Sequence, residues 1–356
     1  MLLPQSQILS TTRLNRIFDH TSATYKYYWF LGILELFVKQ GKTKINEWEI
    51  IVSMVVNAWY PVNYFRLSFG KSDTLYDAIL QLQKDNNIPI NIGTKELNVL
   101  LNQLIQHKVT RTQLGFLRNN VPFRFLSPWI HTNDNREMVI RSQIFENGCL
   151  YKLVKDNGAF WIELNPIWYT YLKENYEILT SFAYWGLTNF LQIRNPNVPN
   201  IPGKIIKKEE RSSLVEQRKF WNSAINGGLK IECLYTNKLL SVRDYDLDHF
   251  MPWSFVSHDL LWNLIPIDSS INSSKSNKLP DLDLYLKKLA DLHQLALKIN
   301  MPNWENKKLL EDYLSLGCTP CELVSMDKGH LYDCFMNTFI PMYQIAHNMG
   351  FETWKY

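Results

Sequence analysis

The chain has 356 residues, more than one typical domain, so two or three compact units are expected. Apolar residues make up 46% and charged residues 20%, which excludes a disordered, collagen-like or highly charged architecture for the chain as a whole. With 38 basic and 34 acidic side chains the formal charge is +4, too small to diagnose a nucleic-acid partner until the charges are located.

The first residues, MLLPQSQILSTTRLNR, lack the continuous apolar core of a signal peptide, and the five cysteines are odd in number and scattered. A soluble protein of the reducing cytoplasm is expected. The most apolar stretch, Tyr27 to Val38, is interrupted by Glu35 and followed by Lys39, short of the roughly 20 apolar residues that a spanning helix needs. No membrane partner is expected.

From Thr21 to about Leu117 apolar residues recur at helical spacing, as in Tyr28, Leu31, Leu34 and Val38, then Trp48, Ile51, Val55 and Trp59. This predicts a helical bundle, with helix starts at Ser72-Asp73 and at Thr94. Two apolar runs, Cys149 to Val154 and Ala159 to Leu164, flank Asp156-Asn157-Gly158, whose Asn-Gly step predicts a β-hairpin. A further helix over about Trp168 to Leu191 meets Asn195 to Gly203, where three prolines and a glycine predict a rigid linker and the main boundary. A basic helical segment follows (Lys204, Lys207, Lys208, Arg211, Arg218, Lys219), diluted by Glu209, Glu210 and Glu216.

Chemistry concentrates between Cys233 and Pro280. Asp248 and His249 close a strand-like run from Tyr245 to Phe250; a loop leads to Asn263-Leu264; Asp268 is placed to cap a short helix carrying Asn272 and Lys275. A carboxylate and an amide oxygen are hard ligands suited to Mg2+ or Mn2+, and a neighbouring imidazole can take a proton from water near neutral pH. One tension stands out: adjacent residues of a regular strand point to opposite faces, so Asp248 and His249 share a site only if the strand twists or ends there.

These residues resemble the HNH endonuclease family, whose ββα-metal unit runs Asp/His-His, Asn-Leu, then Asn or His on a short helix followed by Lys. The spacings His249 to Asn263 and Asn263 to Asn272 fit that pattern, as do Pro252 and the Asn-Ser-Ser-Lys run, over Lys230 to Pro280. The resemblance implies that Asp248 and Asn272 hold a metal ion, that His249 is the general base, and that Asn263 tethers the loop that orients it. Asn277 is a second candidate for the helix ligand, disfavoured by spacing. Lys275 and Lys278 are placed to meet phosphate, and Lys207, Lys208, Arg211, Arg218 and Lys219 to line a nucleic-acid path. Many relatives hold a structural zinc on two Cys-x-x-Cys pairs; here only Cys233 survives, so no structural zinc is expected. Packing of Trp253, Phe255, Leu261, Trp262, Leu264 and Ile271 would take its place.

The reading is an α+β protein: a mostly helical region with a short β-hairpin (1–200), a ββα-metal nuclease domain with a basic leading helix (201–285) and a helical C-terminal extension (286–356). The expected function is metal-dependent cleavage of nucleic acid, DNA foremost, in restriction or anti-phage defence. The alternative is a non-cleaving nucleic-acid-binding subunit of a defence complex. Residues 1–200 are expected to sense a signal, hold a partner subunit or mediate self-association. His258-Asp259 is given no direct role, and Cys318-Thr-Pro-Cys321 is taken as ordinary thiols. Charge divides unevenly along the chain, with residues 1–200 at +5, 201–240 at +4 and 241–356 at −5. An acidic catalytic segment would need its metal and the basic segment over 204–219 to bring in a phosphate backbone.

Overall fold

A computed structural model describes all residues except 1, 2, 157, 158, 207–212, 304 and 306. The chain divides into two compact units, Met1–Pro196 with Ile201–Lys207, and Asn197–Asn200 with Lys208–Tyr356. The proline-rich stretch is thus split between them. Ile201–Ile205 is a short helix of the first unit and not linker. No described helix is long and apolar enough to cross a membrane.

The first unit is the helical bundle that its periodicity predicts. Glu47–Asn63 is its central helix, started by a capping box in which Asn46 Oδ1 accepts from Trp48 N and Glu49 Oε1 accepts from Asn46 N. It packs on Tyr25–Ile33, whose run Tyr27 to Ile33 is buried, as are Ile50, Ile51, Met54, Val55 and Trp59 of the partner face. Asp73 caps Thr74–Asp85 as expected, through Leu75 N. At the next helix the cap falls on Gly93, and Thr94 is already the first helical residue. The predicted helix over 168–191 is two helices, Pro166–Glu174 and Tyr176–Arg194, broken at Asn175.

The hairpin forms from β2 (Tyr151–Asp156) and β3 (Ala159–Leu164); Asn157 and Gly158 of its turn lie outside the described residues. A third strand, β1 (Lys44–Asn46), adds to the free edge of β3 in antiparallel register. Buried Glu47, directly after β1, accepts from Phe160 N at 3.1 Å and pairs with Arg118 at 2.6 Å, which ties the sheet to the bundle.

The second unit has one core that runs from Phe220 to Trp354, so residues 286–356 are part of the same body as the segment that carries the motif. Its small strands are β4 (Ile231–Glu232) with β5 (Leu239–Leu240), β6 (Asp246–His249) with β7 (Leu264–Ile267), and β8 (Leu279–Pro280) with β9 (Thr353–Trp354). Cys233 is buried and its carbonyl accepts from Asn237 N, while Tyr235 meets Tyr285 and Trp354 edge-on, each at 4.9 Å. Aromatic packing holds this turn. Of the residues expected to pack the unit, Phe255, Leu261, Trp262, Leu264 and Ile271 are buried, whereas Trp253 is only partly so. The long helix Lys328–Asn348 supplies Phe339, which lies edge-on to Phe250 at 5.4 Å and to Trp262 at 5.2 Å. Both rings are next-door neighbours of site residues, His249 and Asn263.

Candidate active site

The site is built on the antiparallel β6–β7 pair, with Asp246 opposite Ile267, Asp248 opposite Ile265 and His249 opposite Leu264. Strand alternation puts Asp246 and Asp248 on one face and His249 on the other. The first face is covered by the helix Ser269–Lys275, which Asp268 caps by accepting from Ser270 N at 3.1 Å. From that helix Asn272 Nδ2 reaches Asp246 Oδ2 at 3.4 Å, and Lys275 Nζ lies 2.7 Å from Asp248 Oδ2 and donates to His249 O at 2.7 Å. The structure therefore gathers Asp246, Asp248, Asn272 and Lys275 on one side of the strand.

His249 goes the other way. Its Nε2 is 2.9 Å from Asp259 Oδ1, and its side chain is 11% exposed. The strand ends at His249 and the chain turns at Met251-Pro252, where buried Asn263 holds both polar groups of Met251: Oδ1 accepts from Met251 N at 2.8 Å, and Nδ2 donates to Met251 O at 3.0 Å. Phe250 N adds a bond to Asn263 O at 2.8 Å. The loop tether expected of Asn263 is thus present as a two-way hydrogen bond.

Lys275 is fully buried, so it does not present its ammonium to a phosphate. It neutralises Asp248 and anchors the strand end. Lys278 is half-buried and enters no ion pair among the described residues. Arg218 is turned inward, donating to Tyr245 O at 3.1 Å with its guanidinium over the Tyr245 ring. Lys219 is exposed and paired with Glu216 at 2.7 Å. Lys207, Lys208 and Arg211 lie outside the described residues. Lys204 is buried within the first unit, where desolvation pushes its amine down to about 7, so it forms no part of a basic surface path. Asn277 Oδ1 accepts from Ser254 Oγ, whereas Asn272 Nδ2 reaches Asp246 on β6.

The donor set suits a hard divalent cation. Asp248 Oδ2 is buried and makes no hydrogen bond of good geometry, its one close partner being the Lys275 ammonium. Asn272 uses its Nδ2 on Asp246, which leaves its amide oxygen for a ligand. Among the described residues no three His, Cys, Asp or Glu side chains converge as a ready-made metal cluster. A carboxylate and an amide oxygen are hard donors, the kind that hard divalent cations take as ligands. Tyr235 is also close to Asp248; burial, with the Asp248 charge adding to it, holds its hydroxyl well above the ordinary tyrosine range.

Two residues were given no part in the site by the sequence reading. Asp246 carried a signal, since it sits two positions before Asp248 on a strand and so shares its face. Asp259 was singled out with His258 and given no direct role, because its contact with His249 depends on how the loop after Val256 folds back. Residues 233–281 match a family model described as HNH endonuclease, so this stretch of the chain is an HNH endonuclease domain. No curated protein and no solved structure matches the chain.

Proposed function

We propose that the chain is a divalent-metal-dependent endonuclease that hydrolyses phosphodiester bonds of nucleic acid, DNA foremost, in restriction or anti-phage defence. What supports this reading is the order Asp248, His249, Asn263, Asn272 within the stretch matched by the family model at residues 233–281, with Asn272 covering the Asp246–Asp248 face of β6 and His249 at the strand end on the other face. In this reading Asp248 and Asn272 would hold Mg2+ or Mn2+, whose chemistry is to draw charge from the phosphate and the leaving oxygen as a Lewis acid. His249 takes a proton from the attacking water. The water oxygen bonds to phosphorus as the bond from phosphorus to the 3′ oxygen breaks, and that oxygen takes a proton from solvent. Asn263 fixes the turn after the strand and thereby the place of His249. The first unit would serve as a sensing, partner-binding or self-association module.

The test compares wild type, His249→Ala and Asn272→Ala on supercoiled plasmid, single-stranded DNA and RNA, with Mg2+ or Mn2+ and with EDTA. Cleavage by the wild type alone, abolished by EDTA, is expected. Equal cutting by wild type and His249→Ala would remove His249 from the mechanism. A wild type that shifts nucleic acid on a gel yet cuts none of it would favour the non-cleaving subunit.

A further inference from the structure

The contact between His249 and Asp259 has a role that the family pattern does not supply. We infer that Asp259 is a positioning residue that fixes the tautomer of His249, holding the ring proton on Nε2 so that Nδ1 is the nitrogen left to accept a proton. The inference rests on the nuclease reading for its catalytic consequence, but its structural half stands without it.

A neutral imidazole has one N–H and one lone pair, and the hydrogen bond made by one nitrogen decides which is which. Asp259 Oδ1, a carboxylate oxygen and so an acceptor site, lies 2.9 Å from Nε2. Such a pairing favours Nε2–H over the alternative, which would set two acceptors against each other. The side chain is 11% exposed, so water has little access to replace this partner.

The carboxylate is itself held in place. The short helix Trp253–Val256 ends on Ser257 in the left-handed conformation at φ +52°, which turns the chain back toward β6. Asn200 Nδ2 then donates to Ser257 O at 2.9 Å, Gln217 Nε2 to Asp259 O at 3.1 Å, and Leu261 N to Asp312 Oδ2 at 2.8 Å. The loop is fastened before, at and after Asp259. Met251 is fastened by Asn263 on the other side of the ring's own strand end. Both partners of the hydrogen bond are thus on backbone that is held by side chains of other segments, the arrangement found where a supporting residue orients a catalytic one.

The test uses the full chain in two measurements. Selective 15N-histidine labelling, with the His249 signals identified by their loss in His249→Gln, reads the tautomer directly. The wild type is expected to carry Nε2–H, and Asp259→Ala to show a mixture or the other form. In parallel, kcat and KM for cleavage and the unfolding temperature are compared between wild type and Asp259→Ala. Loss of a supporting residue of this kind lowers activity about 10–100-fold, and here the fall is expected in kcat with KM and unfolding temperature little changed. A wild-type ring protonated on Nδ1, or an Asp259→Ala enzyme with wild-type kcat, overturns the inference. If the wild type cuts nothing, the nuclease reading fails while the nitrogen spectrum still decides the tautomer, and that spectrum needs no variant of Asp259 to fold.

Discussion

Replacing Asn263 with alanine removes both halves of a buried tether at once. Its side chain is the partner of Met251 N at 2.8 Å and of Met251 O at 3.0 Å, and both residues are fully buried. The alanine leaves one amide and one carbonyl unpaired. A buried group stripped of its partner costs about 1–3 kcal/mol, so two cost about 2–6 kcal/mol, and a water entering the vacated space brings the expectation to about 2–4 kcal/mol. The bond from Phe250 N to Asn263 O survives, because it uses the backbone. Urea denaturation should show a lower midpoint with an unchanged slope. Asn263→Asp keeps the acceptor for Met251 N but sets an oxygen against Met251 O, so it should destabilise at neutral pH and recover partly as acid restores a donor. A loss below about 1 kcal/mol for the alanine variant would refute the account of Asn263 as a two-way tether.

Lys275→Met should cost about 3–5 kcal/mol, the loss typical when one partner of a buried ion pair is removed; Mg2+ should then restore part of it by taking the place beside Asp248, measured as unfolding with and without the ion. Phe339→Ala should cost about 3–5 kcal/mol by opening a cavity beneath Phe250 and Trp262, and an unfolding curve indistinguishable from wild type would count against the shared core. His293 is buried against Tyr313, and desolvation brings its imidazole down to about 3. The unfolded ring, near 6.5, binds its proton first as pH falls, so stability is complete above about pH 6.5 and declines toward pH 3. From pH 7 to pH 5 the wild type should lose about 2 kcal/mol more than His293→Gln, and parallel pH profiles would contradict that.

Much of the candidate site's geometry was legible in the sequence because this segment is local: a strand, a turn, a strand and a capped helix within about 30 residues. Asp248, His249, Asn272 and the Asp268 cap could each be read from residue type and spacing, and Asn263 from the family resemblance that those residues carry. Lys275 was misread as a surface cation because a lysine beside an asparagine on a short helix looks solvated; only the burial of Asp248 reveals why it turns inward. Asp259 and the strand β1 depend on contacts between segments distant along the chain or across a folded-back loop, where period and propensity carry no signal. The same limit applies to the helical extension. Its amphipathic pattern predicts helices, but nothing in that pattern says that their buried face includes Phe250, Trp262 and Tyr235.

The parallel pairing of Leu279 with Thr353 sets an order of events during synthesis. β8 leaves the helix that bears Asn272 and Lys275, and its strand partner lies 74 residues further along, counting from Leu279 to Thr353. At about 5–20 residues per second, the ribosome delivers that partner on the order of 4–15 s after β8. Until then the turn around Tyr235 lacks the ring of Trp354, and the helix Ser269–Lys275 has an untied exit. A nascent chain that already displays every residue of the motif is therefore held short of its finished architecture until the last residues emerge.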